Sequence, residues 1–152
     1  MNASPTIVSV WKWTGTTWSV YLPGEGTPGT YAASKGFGQL TTIGAGEGFW
    51  VNSTGVLDVS LTGTPASGGL SLAVGWNLVG LKGTVAKTVS ALVVEPEKII
   101  SLWKWEGSTW SVHLPGEATP GSYAASKGFG VLATINPSEG FWVNAKEAMT
   151  LP

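Results

Sequence analysis

The sequence predicts a mostly β protein: duplicated antiparallel β lobes, sandwich- or barrel-like, with one short helix in the connector between them. Residues 7–52 recur without a gap as residues 99–144, with about three positions in four identical. The spacing is constant, 92 residues from Trp11 to Trp103 and again from Trp50 to Trp142. Within each copy, short β-branched and aromatic runs alternate with Gly, Pro, Ser and Thr clusters, the pattern of strands joined by turns.

Residues 6–13 and 17–22 read as the first two strands, joined through Gly15-Thr16. A Gly at the first central position of a two-residue loop suits a tight hairpin turn. Register then follows by symmetry: Trp13 faces Trp18, Lys12 faces Ser19 and Trp11 faces Val20, so three indoles share one face. The second copy repeats this through Gly107-Ser108, with Trp105 opposite Trp110 and Trp103 opposite Val112.

Residues 23–29, PGEGTPG, form a surface loop, and residues 31–38 continue it irregularly. Residues 39–43 read as a short strand, 44–48 as a turn, 49–52 as the strand that delivers Trp50, and 56–61 as a closing strand. The connector opens with a Gly/Pro/Ser loop at 62–69, followed by apolar strands at 70–74 and 76–81. Thr84 is positioned to cap a short helix over 85–93, which Pro96 stops. The chain thus divides into a first WKW-type half-module (1–61), a connector (62–98) and a second half-module (99–152), the whole compatible with one pseudo-twofold domain.

The order Gly75-Trp76-Asn77-Leu78, short helix, Trp103-Lys104-Trp105, Trp110 and Gly140-Phe141-Trp142-Val143 resembles the GWNL-type tryptophan-rich β modules found in tandem in bacterial and archaeal exported and cell-surface proteins. Residues 70–151 resemble a full module and residues 7–61 the second half of another. The resemblance implies an extracellular, mostly β module without an established enzymatic role. The departure is that no GWNL half precedes the first copy.

Charged residues make up 11% of the chain, against roughly 25% in an average domain. Eight lysines without arginine, against nine carboxylates, offer no basic field for a phosphate backbone, so nucleic acid is not an expected partner. No apolar run approaches the ~20 residues of a membrane span. The first ten residues, MNASPTIVSV, do not read as a signal peptide. Low charge, abundant Gly and a Thr/Ser-rich β pattern lean toward an exported or cell-surface setting.

Chemistry has little to work with. Cysteine is absent, and His113 is the only histidine, its counterpart being Tyr21. It reads as an outward strand position, lacking the partners of a base or metal ligand. Glu25, Glu47, Glu117 and Glu139 sit at turns, where carboxylates accept backbone N–H bonds, rather than as glycosidase pairs. Tyr31 and Lys35 share the Tyr-x-x-x-Lys spacing of short-chain dehydrogenases, as do Tyr123 and Lys127, without that family's glycine fingerprint. No catalytic, cofactor or metal site is expected.

The tryptophans pose the sharper question. Trp11, Trp13 and Trp18 together represent roughly 600 Å² of side-chain surface, about the largest apolar patch a soluble monomer exposes. Most must therefore be covered, with the GWNL half as the natural lid over the indole face. The expectation is a non-catalytic structural module that self-associates as a homo-oligomer or polymer, or docks on neighbouring modules of its parent protein. A glycan-binding platform is the alternative. The candidate interface residues are Trp11, Trp13, Trp18, Tyr31 and Trp50 in the first copy, and Trp103, Trp105, Trp110, Tyr123 and Trp142 in the second.

Overall fold

The computed structural model of the chain describes residues 6–59 and 62–152. Strand β1 (Ile7–Trp13) turns back as β2 (Trp18–Tyr21), with Trp13 opposite Trp18, Lys12 opposite Ser19 and Trp11 opposite Val20, as the sequence predicts. Gly15 makes the reversal at a φ of 98°, a conformation L side chains resist. The Pro/Gly loop then feeds a one-turn helix, α1 (Thr30–Lys35), in place of the expected irregular stretch. It is held from below by Glu25, whose carboxylate accepts the N–H groups of Gly29 and Tyr31. Gly36, at φ 74°, closes it.

After α1, β3 (Gly38–Gln39) lies parallel to β2, and β4 (Trp50–Ser53) pairs antiparallel with β1. The sheet order is β3-β2-β1-β4. The expected closing strand is absent over residues 56–59, which pair with nothing regular, and residues 60 and 61 lie outside the described part.

The connector supplies β5 (Leu70–Leu72), β6 (Gly75–Gly80), β7 (Lys87–Thr88) and a short helix α2 (Val89–Leu92). This corrects the helix expected over 85–93. Lys87 and Thr88 are drawn into pairing with Ile135 and Thr134, and Thr88, not Thr84, caps the helix through the Ala91 N–H. A 3₁₀ turn (Pro96–Lys98) leads into β8 (Ile99–Trp105) and β9 (Trp110–His113), with Trp103 opposite Val112 and Trp105 opposite Trp110. A second one-turn helix, α3 (Ser122–Lys127), precedes β10 (Gly130–Val131), β11 (Thr134–Ile135), β12 (Gly140–Ala145) and β13 (Met149–Leu151). The larger sheet has the order β10-β9-β8-β12-β6, and β7 with β11 and β5 with β13 form two-stranded ribbons. The sheets are open, so the barrel expectation does not hold. Among the described residues three short α-helices stand where one was expected, and β2/β3 and β9/β10 are parallel pairs.

Strand β6 is held on both edges. Along one it pairs with β12 from Gly140 opposite Gly80 to Ala145 opposite Gly75. Along the other, Gly48 donates to the Leu78 carbonyl at 3.1 Å and Gly80 donates to the Gly46 carbonyl at 3.0 Å. The glycine at 48 permits this approach, since a Cβ there would stand 2.7 Å from the Val79 oxygen.

The core lies on one face of the five-stranded sheet. Leu102, Phe141 and Val143 there meet Leu70 and Leu72 of β5, Val79, Val89, Leu92, and Met149 and Leu151 of β13. The connector is a lid, but it covers the face opposite the indoles. That overturns the expectation that it would cap the tryptophans.

Candidate binding surfaces: an aromatic cleft and an uncovered sheet face

Residues opposite one another on paired strands share a face. Trp11, Trp13, Trp18 and Trp50 therefore line one face of the four-stranded sheet, and Trp103, Trp105, Trp110 and Trp142 one face of the five-stranded sheet. The two indole faces meet. Trp142 packs on Trp13 and Trp18 at ring-centroid distances of 6.3 and 5.8 Å, and Trp50 on Trp110 at 5.9 Å. The Trp13 indole N–H bridges the junction by donating to the Trp76 carbonyl at 2.9 Å.

The sheets meet as a wedge rather than closing. Between them runs a cleft of about 720 Å³ lined by Trp13, Trp18, Trp50, Trp76, Trp103, Trp110, Phe129 and Trp142. Among the described residues, which include all nine tryptophans, no tryptophan is buried, so the expected burial of most indoles in a core does not occur. Their neighbouring rings are inclined at 55° to 86°, an edge-to-face packing favoured by the aromatic quadrupole.

Six of the ten predicted interface residues line this cleft. Trp11 and Tyr31 sit instead in a side cluster with Phe37, and Tyr123 occupies the corresponding cluster with Trp103 and Phe129. Trp105 packs on Trp110 and is otherwise exposed. Trp11 and Trp103 are oriented by buried serines, their indole N–H groups donating to Ser9 Oγ at 2.9 Å and Ser101 Oγ at 3.0 Å. Trp76 and Phe129 were not among the predicted residues. Trp76 is placed in the cleft by the seam between β6 and residues 46–48, which alternation along a strand does not reveal.

The reverse faces of the two sheets differ sharply. Phe141 and Val143 are fully buried beneath the lid, whereas their counterparts Phe49 and Val51 are 40% and 43% exposed; beyond the sheets, Leu151 of β13 is buried and its counterpart Val59 is 62% exposed. Val10, counterpart of the fully buried Leu102, is only half-buried. The lid is laid over one such face and not the other.

Several titratable groups hold turns and strands. Lys104, 6% exposed, reaches Glu139 at 2.9 Å and Glu106 at 3.1 Å. Burial pulls its pKa down, but the two carboxylates outweigh that and leave it above the ordinary lysine value. Burial likewise pushes Glu139 up, and hydrogen bonds from Asn136 and Lys104 carry it below the usual carboxylate range. In the first copy Glu47 is lowered in the same way by the Gly44 N–H and Lys12. Glu117 is held low by the Ser122 hydroxyl and the Tyr123 N–H. His113 is half-buried rather than outward, and burial lowers its pKa despite the nearby Glu117.

Tyr31 and Lys35 do fall on a helix, but one of a single turn, packed in the Trp11–Phe37 cluster. Among the described residues no group of three His, Cys, Asp or Glu side chains is placed to hold a metal, and no helix is long and apolar enough to cross a membrane.

Comparisons with protein-family models, with curated proteins and with solved structures find no match to this chain.

Proposed function

We propose that the chain is a non-catalytic structural module of an exported or cell-surface protein, built from two lobes of one β unit and working by self-association. The observation that carries this reading is the unequal covering of equivalent residues: Phe49, Val51 and Val59 lie open where Phe141, Val143 and Leu151 are sealed. Apolar side chains exposed together on one sheet face, as Phe49 and Val51 are by their i, i+2 spacing, mark an interaction site more than singly scattered ones do. The commitment of the turn glutamates to backbone N–H groups and lysines supports a structural role. The resemblance to GWNL-type tandem modules supports the extracellular setting. Sedimentation velocity over a concentration series tests the reading: a rising mean mass is expected, and a strict monomer up to about 1 mM would contradict it.

A second reading, glycan binding, is favoured by the open cleft. Indole faces suit the apolar side of sugar rings. Against it, the neighbouring rings are mutually inclined and the lining is wholly aromatic, whereas sugar sites also place polar groups to fix orientation. Tryptophan fluorescence with soluble oligosaccharides separates the two: saturable changes removed by Trp50→Ala would favour the glycan, and a flat titration leaves self-association.

A further inference from the structure

The internal repeat provides a control that most uncovered faces lack, since the same sequence is seen once with its covering and once without. Among the described residues, each copy of the chain carries two such faces and one lid. In an assembly made of this chain alone, exchanging lids between copies only moves the vacancy, because every lid taken by one face is removed from another. A pairing of bare faces, one on each of two copies, covers both without uncovering another.

From this count, and resting on the self-association reading above, the geometry points to a specific surface and partner. The reverse face of the four-stranded sheet, centred on Phe49 and Val51, docks on the same face of a second copy about a twofold axis, as one sheet packs on another. Charge permits the contact. Lys12 shares this face, but its ammonium is bound to both Glu47 carboxylate oxygens at 3.1 and 3.0 Å and to the Thr42 carbonyl at 3.2 Å. The pairing therefore buries a neutralised cation, not a bare one. The chain's net charge of −1 adds little repulsion between copies.

Size sets the strength. Four strands spaced about 4.8 Å apart and about 16 Å long offer roughly 300 Å² of flat footprint. That falls short of the ~800 Å² per partner typical of stable complexes, so the dimer belongs to the weak class and forms only at high concentration.

The test is sedimentation equilibrium of the full chain from about 10 µM to about 1 mM, with Val51→Asp, Phe49→Ser and Val131→Gln alongside. Val131 is exposed on the other sheet, and glutamine is the residue at its counterpart, position 39. Near-UV circular dichroism of the tryptophans checks that each variant is folded. The expected result is a monomer–dimer equilibrium for the parent and Val131→Gln, weakened about 100-fold or more by Val51→Asp, which would bury an unpaired carboxylate on both sides of the axis. Phe49→Ser is expected to weaken it in the same direction. If the parent dimerises and both first-sheet variants dimerise equally well, this face is wrong while self-association stands. Growth beyond a dimer also overturns the pairing, because one bare face per chain closes on a single partner. A parent chain that stays monomeric throughout overturns both this inference and the reading on which it rests.

Discussion

Phe49 and Phe141 occupy the same position in a repeated sequence, each beside a Trp-Val pair held in the same register, Phe49 immediately before β4 and Phe141 within β12. One is 40% exposed and the other has no accessible surface. The strands alone do not decide this. What decides it is the connector, whose Leu70, Leu72, Val89 and Leu92 share one buried cluster with Phe141, a cluster that among the described residues does not include Phe49. Burial in this chain belongs to the pair of layers, not to the strand, so the same residue contributes differently in its two settings.

Substitutions at matched positions exploit this difference, and the phenylalanine pair gives the largest expected effect. Phe141→Ala opens a cavity in the sealed core and is expected to cost about 3–5 kcal/mol. Phe49→Ala, already open to water, is expected to cost under about 1 kcal/mol. Urea denaturation of the two variants measures both, and equal losses would break the comparison.

Next is the seam that joins the first sheet to β6. A Cβ on Gly48 meets the Val79 carbonyl oxygen at 2.7 Å, whereas on Gly140 the same atom would be 3.8 Å away. Gly48→Ala is expected to cost about 1–3 kcal/mol through overpacking, and Gly140→Ala much less. The Tm difference between the two alanine variants reads this directly.

The matched ion pairs come third. Glu139→Gln removes one of the two carboxylates on nearly buried Lys104 and is expected to cost about 1–2 kcal/mol. Glu47→Gln, at a more exposed pair, is expected to cost a few tenths of a kcal/mol. Both carboxyl groups are lowered in the folded chain. Their stabilisation is therefore present above the ordinary unfolded value near 4.3 and is lost as pH falls through the lower folded value. Urea midpoints between about pH 7 and pH 2.5 are expected to fall with acidification, less steeply in Glu139→Gln than in the parent.

The smallest effect is at the cleft. Trp13→Phe removes the indole N–H that donates to the Trp76 carbonyl and is expected to cost about 0.5–1.5 kcal/mol. Trp105→Phe loses no such bond across the sheets, and its urea midpoint is expected to stay closer to that of the parent.

Much of the local structure is legible in the residues. The hairpin registers follow from Gly15 and Gly107 and from alternation, and the turn roles of the glutamates follow from their glycine neighbours. The short helices are not legible, because Thr30–Lys35 spans too few residues to show a helical period; the available signal is Glu25 ahead of it and Gly36 after it. The choice of covered face is obscured by Lys104. A lysine in mid-strand reads as a solvent-facing position, yet here two carboxylates let it stay nearly buried on the same face as Leu102 and Val143. The cleft is half legible: the repeat shows which indoles share a sheet face, but the meeting of the two faces depends on residues 46–48 pairing with β6, a long-range contact that neither copy signals by itself.

Amide hydrogen exchange at low protein concentration compares β4 with β12 most directly. Strong protection is expected across Phe141, Trp142 and Val143, held between β8 and β6 under the lid, with exchange faster by at least about 100-fold across Trp50, Val51 and Asn52. Equal protection of the two segments in the monomer would contradict the account, since it would mean that the first sheet is covered as fully as the second.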